Sequence, residues 1–122
     1  MALNKPAGLL AVPGRGADKQ DCLSARVQRE FADALVVHRL DMATSGILLM
    51  ARGAVAQQRL GAAFATRSVH KRYEAVVDGL LAPPTGDHAP DGWGLIDLPL
   101  MADWPRRPLQ RADAHARFAG AG

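Results

Sequence analysis

One carboxylate, Asp41, lies between two short apolar runs, and this arrangement constrains the fold more than any other feature of the sequence. The runs are residues 35–37 and 47–50, and the residues between them include two hydroxyl side chains and a glycine. Short apolar runs on either side of a polar, glycine-containing connection predict two strands joined by a loop. The loop therefore presents Asp41 near a strand end, beside the cation Arg39.

Asp41 has two interpretations from these residues alone. A carboxylate beside a cation stays ionised, and one held by a rigid scaffold suits a nucleophile or a general base. In the alternative, Asp41 is a turn residue whose side chain bonds to backbone N–H groups of its own loop, and Arg39 is its salt-bridge partner. Polar turns are far more common than active sites, so the residues by themselves favour the turn.

Apolar periodicity predicts the elements around this loop. Helices are expected at residues 21–31 and 54–66, where apolar side chains recur every three or four positions. Strands are expected at residues 35–37, 47–50, 71–77 and 95–100. Proline and glycine predict a long surface connection at residues 80–94 and a loop at residues 101–108. Strands and helices in this mixed order predict an α+β domain.

Length and composition exclude several classes of protein. A chain of 122 residues provides one domain with a single core, and no apolar run approaches the length that crosses a membrane. The single cysteine, Cys22, precludes an internal disulfide and fits a reducing cytoplasm. The four histidines lack metal-ligand spacing, so no metal is expected, and a structural hydrogen bond is expected of His38. The net charge of +3 is compatible with a polyanionic partner without requiring one.

Three segments resemble the RluA-type pseudouridine synthases. The sequence His-Arg-Leu-Asp-x-x-Thr-Ser-Gly at residues 38–46 resembles the family signature, with Asp41 in the place of the catalytic aspartate. Residues 3–10 resemble the family's Asn-Lys-Pro-x-Gly opening, and residues 70–79 resemble its Lys-x-Tyr strand. The resemblance runs from about residue 3 to about residue 110, and it is strengthened by Val-Pro-Gly-Arg at residues 12–15 and Asp-Trp-Pro at residues 103–105.

The resemblance implies the pseudouridine synthase fold, a largely antiparallel mixed sheet with flanking helices around a central cleft. Residues 1–110 would form the N-terminal portion of the catalytic domain, and the Ala/Gly-rich residues 111–122 would lie outside the fold. Family members carry a later arginine that pairs with the catalytic aspartate, and residues 111–122 do not resemble that segment. We therefore expect a truncated family member, which a fragment, a misread frame or a decayed gene would explain. Such a chain should self-associate through unpaired sheet edges and be inactive on its own.

The resemblance also implies the chemistry and the site. The family isomerises uridine to pseudouridine in structured RNA without cofactor or metal, and Asp41 would be the nucleophile or base. Tyr73 would stack on the target base, and Arg39 would fill the gap left by the flipped nucleotide. Several basic residues are candidates for contacts to the RNA backbone, although each alone is also typical of solvated surface: Lys5, Arg15, Lys71, Arg72, Arg106 and Arg107.

The implied partner is a stem-loop of transfer RNA, of 23S ribosomal RNA, or of both, and no membrane is expected. When full length, the protein is expected to be a cytoplasmic monomer. Two other functions remain open. One is a catalytically inactive, RNA-binding fragment of such an enzyme. The other is a hydrolase that uses Asp41 as its base. The motif contains no second carboxylate and the sequence no metal cluster, and both observations argue against a hydrolase.

Overall fold

The computed structural model describes residues 1–80, 99–106 and 109–112. Contacts divide the chain into two compact units, Met1–Glu74 and Ala75–Gly122. In the first unit the elements are β1 (Ala2–Lys5), a 3-10 turn (Ala17–Lys19), α1 (Leu23–Glu30), β2 (Ala34–Val36), β3 (Gly46–Arg52) and α2 (Gly53–Ala65). The described residues of the second unit form β4 (Leu100–Ala102), a 3-10 turn (Trp104–Arg106) and β5 (Gln110–Ala112).

The predicted helices at residues 21–31 and 54–66 are confirmed as α1 and α2, with ends displaced by one or two residues. The predicted strands at residues 35–37 and 47–50 are confirmed as β2 and β3 with similar displacements. The strand pairs of both units are antiparallel. The described residues therefore form a small mixed α/β structure with antiparallel sheets, in agreement with the predicted α+β domain.

Strand β3 is the centre of the first unit's sheet, and each neighbour covers a different part of it. β1 pairs with the first half of β3, from Lys5 opposite Gly46 to Ala2 opposite Leu49. β2 pairs with the second half, and its pairing ends with Val36 opposite Met50. Beyond Val36 the chain leaves β3, and this departure begins the segment that carries Asp41.

The core of the first unit lies on one face of β3. Because alternate residues of a strand point to opposite faces, Leu48 is fully buried whereas 71% of the Ile47 surface is exposed. Leu48 packs against the buried side chains of Ala11 and Leu40. Leu40 directly precedes Asp41, so the core fixes the chain next to the candidate catalytic residue.

Glutamine side chains from both helices bond to β2, which is an edge strand of this sheet. The Gln28 amide donates to the Ala34 carbonyl oxygen at 2.9 Å, and the Gln57 amide donates to the Val36 carbonyl oxygen at 2.9 Å. These two carbonyl oxygens therefore have hydrogen-bond partners. The prediction that the backbone groups of a sheet edge are unpaired does not hold for them. The same bonds fix both helices to the strand that leads into the candidate site.

The predicted strand at residues 71–77 is wrong, because those residues form no strand in the structure. A strand is stable only when its backbone groups pair with another strand, and none of the described residues pairs with this segment. The predicted loop at residues 101–108 is also corrected, since it begins inside β4 and contains a 3-10 turn. Residues 81–98, 107–108 and 113–122 lie outside the described residues. Most of the predicted connection at residues 80–94 and most of the predicted strand at residues 95–100 fall in this part of the chain. The expected boundary at residue 110 falls inside β5.

Lys5 ends β1 and is fully buried. Its ammonium donates to the carbonyl oxygens of Pro6 at 3.0 Å, Leu9 at 2.7 Å and Met42 at 3.1 Å. An ammonium has three donors, so its bonding capacity is used completely. The expected contact between Lys5 and an RNA phosphate is therefore wrong. Instead, Lys5 ties the turn after β1 to the loop that carries Asp41.

We predict that Lys5→Met lowers the free energy of unfolding by about 2–4 kcal/mol, because three carbonyl oxygens lose the charged donor that a fully buried side chain supplies to them. Urea unfolding followed by circular dichroism measures this change. The exposed Lys19 provides a matched control, since Lys19→Met removes the same charge without burying an unsatisfied group. Equal stability of the two variants would contradict a structural role for the Lys5 ammonium.

Candidate functional site

The backbone around Asp41 is held at several points. Its carbonyl oxygen accepts the Thr44 N–H at 3.1 Å, which closes a four-residue turn. The next carbonyl oxygen, that of Met42, accepts the Gly8 N–H at 2.8 Å in addition to the Lys5 ammonium. Gly8 makes this approach with a φ of 83°, in the left-handed region that favours glycine. The turn is therefore anchored to the segment after β1.

The side chain of Asp41 is not used by this turn. Leu40 points into the core, so the side chains on either side of it, Arg39 and Asp41, are both exposed. Among the described residues, no donor bonds to the Asp41 carboxylate and no ion pair joins it to Arg39. The alternative in which Asp41 serves only to cap its own loop therefore lacks the side-chain bond that defines it. What remains is an exposed carboxylate on a fixed backbone.

Two depressions of the first unit border this loop, and Leu40 lines both of them. The smaller, of about 160 Å³, lies between two segments, residues 10–14 and residues 39–42, and contains Arg39 and Asp41. The larger, of about 680 Å³, is lined by residues 43–47 of the motif, by β3, by α2 and by residues 69–74. Tyr73 belongs to this larger cavity. The structure thus brings the Asp41 motif and Tyr73 to adjacent depressions that share one wall residue.

The larger cavity has a predominantly basic wall. His70, Lys71 and Arg72 line it, with one carboxylate, that of Glu74. Tyr73 lies among them with 60% of its surface exposed. An accessible aromatic ring in a basic wall can stack on a base while its neighbours attract the phosphate backbone.

His38 forms the hydrogen bond expected of it. Its Nε2 accepts the backbone N–H of Leu49 at 2.8 Å, and its ring stacks on Phe64 of α2 with the ring centres 4.5 Å apart. An accepting Nε2 requires the neutral imidazole with its proton on Nδ1. Partial burial, with a smaller effect from the charge of Lys71, lowers the pKa of His38 below its ordinary value. Both influences favour the form that the hydrogen bond needs.

The remaining basic candidates do not converge on one surface of the first unit. Arg15 is exposed on a loop whose Gly14 and Gly16 carbonyl oxygens accept bonds from the Gln20 amide, at 3.2 Å and 2.7 Å. Arg106 belongs to the second unit, where it pairs with Asp103 at 2.7 Å. Arg107 lies outside the described residues.

Within the described ranges, no three His, Cys, Asp or Glu side chains are grouped as metal ligands would be. In that same part of the chain, no helix is long and apolar enough to span a membrane.

A profile of the RNA pseudouridylate synthase family matches residues 1–115. The chain belongs to this family. Relatives named dual-specificity RNA pseudouridine synthase RluA, from Vibrio parahaemolyticus and Yersinia pestis, are each 47% identical to it over 111 residues. The relative of that name from Escherichia coli is 44% identical over the same length. Each alignment covers 91% of this chain but only 41%, 50% and 47% of the respective relative. The chain spans about half the length of the curated relatives it matches.

Family membership agrees with the resemblance found in the sequence, whereas several local contacts of the site could not be foreseen. The stacking of His38 on Phe64 joins residues 26 positions apart, and the bond to Leu49 replaces a backbone acceptor with a side chain. The enclosure of Lys5 is likewise a tertiary feature, since a lysine beside a proline is typical of surface. The Asn-Lys-Pro-x-Gly segment was the available signal, but its pattern does not reveal where the ammonium points.

We predict that acid destabilises the protein through His38. Because the folded-state pKa is lowered, the unfolded chain binds more protons between that pKa and about 6.5. The stabilisation is therefore complete above about pH 6.5 and is lost as the pH falls through the folded-state pKa. Melting temperatures measured from pH 7.5 down to pH 5 should fall more for the wild type than for His38→Gln, whose amide oxygen accepts a bond without titrating. Parallel curves for the two proteins would exclude His38 as the titrating group.

Proposed function

We propose that the protein is an RNA pseudouridine synthase that isomerises uridine to pseudouridine, with Asp41 as its nucleophile or base. The proposal rests on one observation above all. The Asp41 carboxylate is exposed and unbonded among the described residues, while the backbone on both sides of it is fixed by Lys5, Gly8 and the buried Leu40. A reactive group needs this combination of an accessible functional atom and a rigid support. Membership of the RNA pseudouridylate synthase family supports the reaction.

In the reaction, the bond between the sugar carbon and a ring nitrogen of uracil breaks, and a bond from the same sugar carbon to a ring carbon forms. The ring carbon loses its proton and the ring nitrogen gains one, so no oxidant or group donor is needed. The Asp41 carboxylate would attack the sugar carbon or the uracil ring, or remove a sugar proton. Each of these steps uses only an ionised carboxylate, so the chemistry needs neither cofactor nor metal.

A uridine in a duplex or folded loop must leave its stack before its glycosidic bond can be reached. Tyr73, exposed in the basic wall of the larger cavity, would stack on the extruded base. Arg39, exposed beside Asp41, would insert its planar guanidinium where the base had been. Lys71 and Arg72 lie next to Tyr73 and would contact phosphates, and Arg15, Arg106 and Arg107 are further candidates for that role.

The proposed substrate is a uridine in a stem-loop of transfer RNA, of 23S ribosomal RNA, or of both, in the cytoplasm. The relatives' name, dual-specificity RNA pseudouridine synthase, supports more than one RNA substrate. A second candidate function is RNA binding without modification, which the basic residues beside Tyr73 would support by themselves. Release of tritium from uridine labelled at the ring carbon distinguishes the two candidate functions, because only the isomerisation breaks the bond between that carbon and its tritium.

We predict that Asp41→Asn, introduced into the protein purified from its own cells, lowers tritium release by about 100-fold or more. The reason is that the amide cannot act as nucleophile or base. RNA affinity, measured by filter binding, should stay within a few-fold, since the two side chains have the same shape. Asp18→Asn is a matched control, being another exposed aspartate of the first unit outside both depressions. Asp41 would lose its proposed role if Asp41→Asn turned over RNA as fast as the control.

We predict that Tyr73→Ala weakens binding of the substrate stem-loop by about 10- to 100-fold, because a stacking partner for the base is lost. Tyr73→Phe retains the ring and should bind within a few-fold of the wild type. Fluorescence anisotropy of a labelled stem-loop measures both affinities. If Tyr73→Phe and Tyr73→Ala lost the same affinity, the phenolic oxygen rather than the ring face would be the contact.

A further inference from the structure

The pairing between β2 and β3 stops at Val36, two residues before His38, and a side chain continues it. The register places Leu35 opposite Ala51 and Val36 opposite Met50, so continued pairing would put Val37 opposite Leu49. In an antiparallel ladder the Leu49 N–H would then donate to a backbone carbonyl of β2. It donates instead to Nε2 of His38, at 2.8 Å. The imidazole thus takes the place of a strand carbonyl.

This substitution determines where the following residues go. If backbone carbonyls continued the ladder in the same register, residues 37–40 would lie alongside β3, opposite residues 49 to 46. Because a side chain takes the place of a carbonyl instead, the backbone is released from β3 while the end of the ladder stays bonded. Two residues later Leu40 enters the core, and one residue beyond it Asp41 emerges at the surface. Among the described residues, the His38 bond is therefore the last hydrogen bond between β3 and the segment that leads to Asp41.

The His38 ring is fixed on its face as well as at its edge. It stacks on Phe64 with an angle of 24° between the ring planes. Phe64 belongs to α2, and α2 is bonded to β2 through the Gln57 amide and the Val36 carbonyl oxygen. The imidazole thus lies between a helix and a strand that are already joined, so its position is determined by both.

We propose that His38 is a positioning residue for the isomerisation, whose neutral imidazole bonds to the Leu49 N–H and thereby holds the segment that presents Asp41. Protonation of Nε2 removes the lone pair that accepts this bond and places two donors face to face. The Leu49 bond then breaks, and the segment loses this hydrogen bond to β3 while Leu40 still packs against Leu48. This inference rests on the proposed function, and it adds a proton-sensitive support to the site that Asp41 occupies.

The surroundings of His38 favour its neutral form. The wall that α2 and β3 contribute to the cavity around His38 carries no charged side chain, since it consists of Phe64, Gly46, Ile47 and Leu49. The segment on the other side contributes the titratable groups, namely His70, Lys71, Arg72, Tyr73 and Glu74. Of these, Lys71 acts with burial to lower the pKa of His38. RNA bound against this basic wall would bring phosphates near the imidazole and oppose that effect.

The test compares three proteins by tritium release from a labelled stem-loop between pH 5.5 and pH 8. The wild type should lose kcat as the pH falls through the lowered pKa of His38. His38→Leu keeps the packing volume without an acceptor, and its kcat should fall by about 10- to 100-fold at pH 7.5, with RNA affinity within a few-fold. His38→Gln restores an acceptor, so it should recover most of this loss. Because glutamine does not titrate, the kcat of this variant should not decline in acid through protonation of residue 38.

A matched control removes another imidazole from the same cavity. His70 is exposed and no hydrogen bond from it to β3 occurs among the described contacts, so His70→Gln should leave the acid decline in place. The proposal would be overturned if His38→Gln kept the wild-type acid decline. It would also be overturned if the kcat of His38→Leu equalled that of the wild type, or if its loss were explained by weaker RNA binding alone.

A second measurement separates this inference from the proposed function. The chemical shift of the Leu49 amide, followed by nuclear magnetic resonance against pH, reports its bond to His38 without any turnover. It should titrate together with the His38 ring and be insensitive to pH in His38→Gln. If the wild type formed no pseudouridine, the proposed function would fail while this titration still showed the bond. A Leu49 amide that ignored the His38 titration would overturn the inference whatever the activity.

Discussion

The buried ammonium of Lys5 is the interaction on which the rest of the first unit depends. It binds carbonyl oxygens from both sides of the turn after β1 and one from the loop after Asp41. A charge without a carboxylate partner is buried only where neutral acceptors replace its water, and here three carbonyl oxygens do so. Since the three bonds join the lysine to both loops, the lysine and the two loops stabilise each other. The site cannot form without the loop geometry that encloses the lysine.

The anchors around Asp41 act on its backbone and leave its side chain available. Lys5 and Gly8 fix the carbonyl oxygen of Met42, Leu40 is buried in the core, and His38 is bonded to β3. Hydrogen bonds hold Met42 and His38 and apolar packing holds Leu40, so the segment is fixed on both sides of Asp41. None of the described donors bonds to the carboxylate itself. A turn residue uses its side chain to bond its own loop, whereas Asp41 has a fixed backbone and an unbonded side chain among the described residues. This difference adds support for the catalytic interpretation of Asp41 beyond its place in the motif.

Much of the first unit could be predicted from the sequence because its elements carry their own periodicity. The helices follow from apolar residues three and four apart, and β2 and β3 from apolar runs bounded by a polar loop. Residues 71–77 have a comparable composition but form no strand, since pairing depends on a partner that local pattern cannot reveal. The prediction that Lys5 contacts a phosphate is wrong for a related reason. Charged side chains are usually exposed, and the carbonyl oxygens that enclose this one come from segments up to 37 positions away.

The Asp41 site proposed for this chain is that of an RNA-modifying isomerase. The most direct measurement maps pseudouridine, by carbodiimide labelling and primer extension, in RNA from cells that lack the gene. We expect that one or a few uridines in stem-loops of transfer or ribosomal RNA lose the modification, and that the wild-type gene restores it but Asp41→Asn does not. An unchanged pseudouridine map, or full restoration by Asp41→Asn, would contradict the claim.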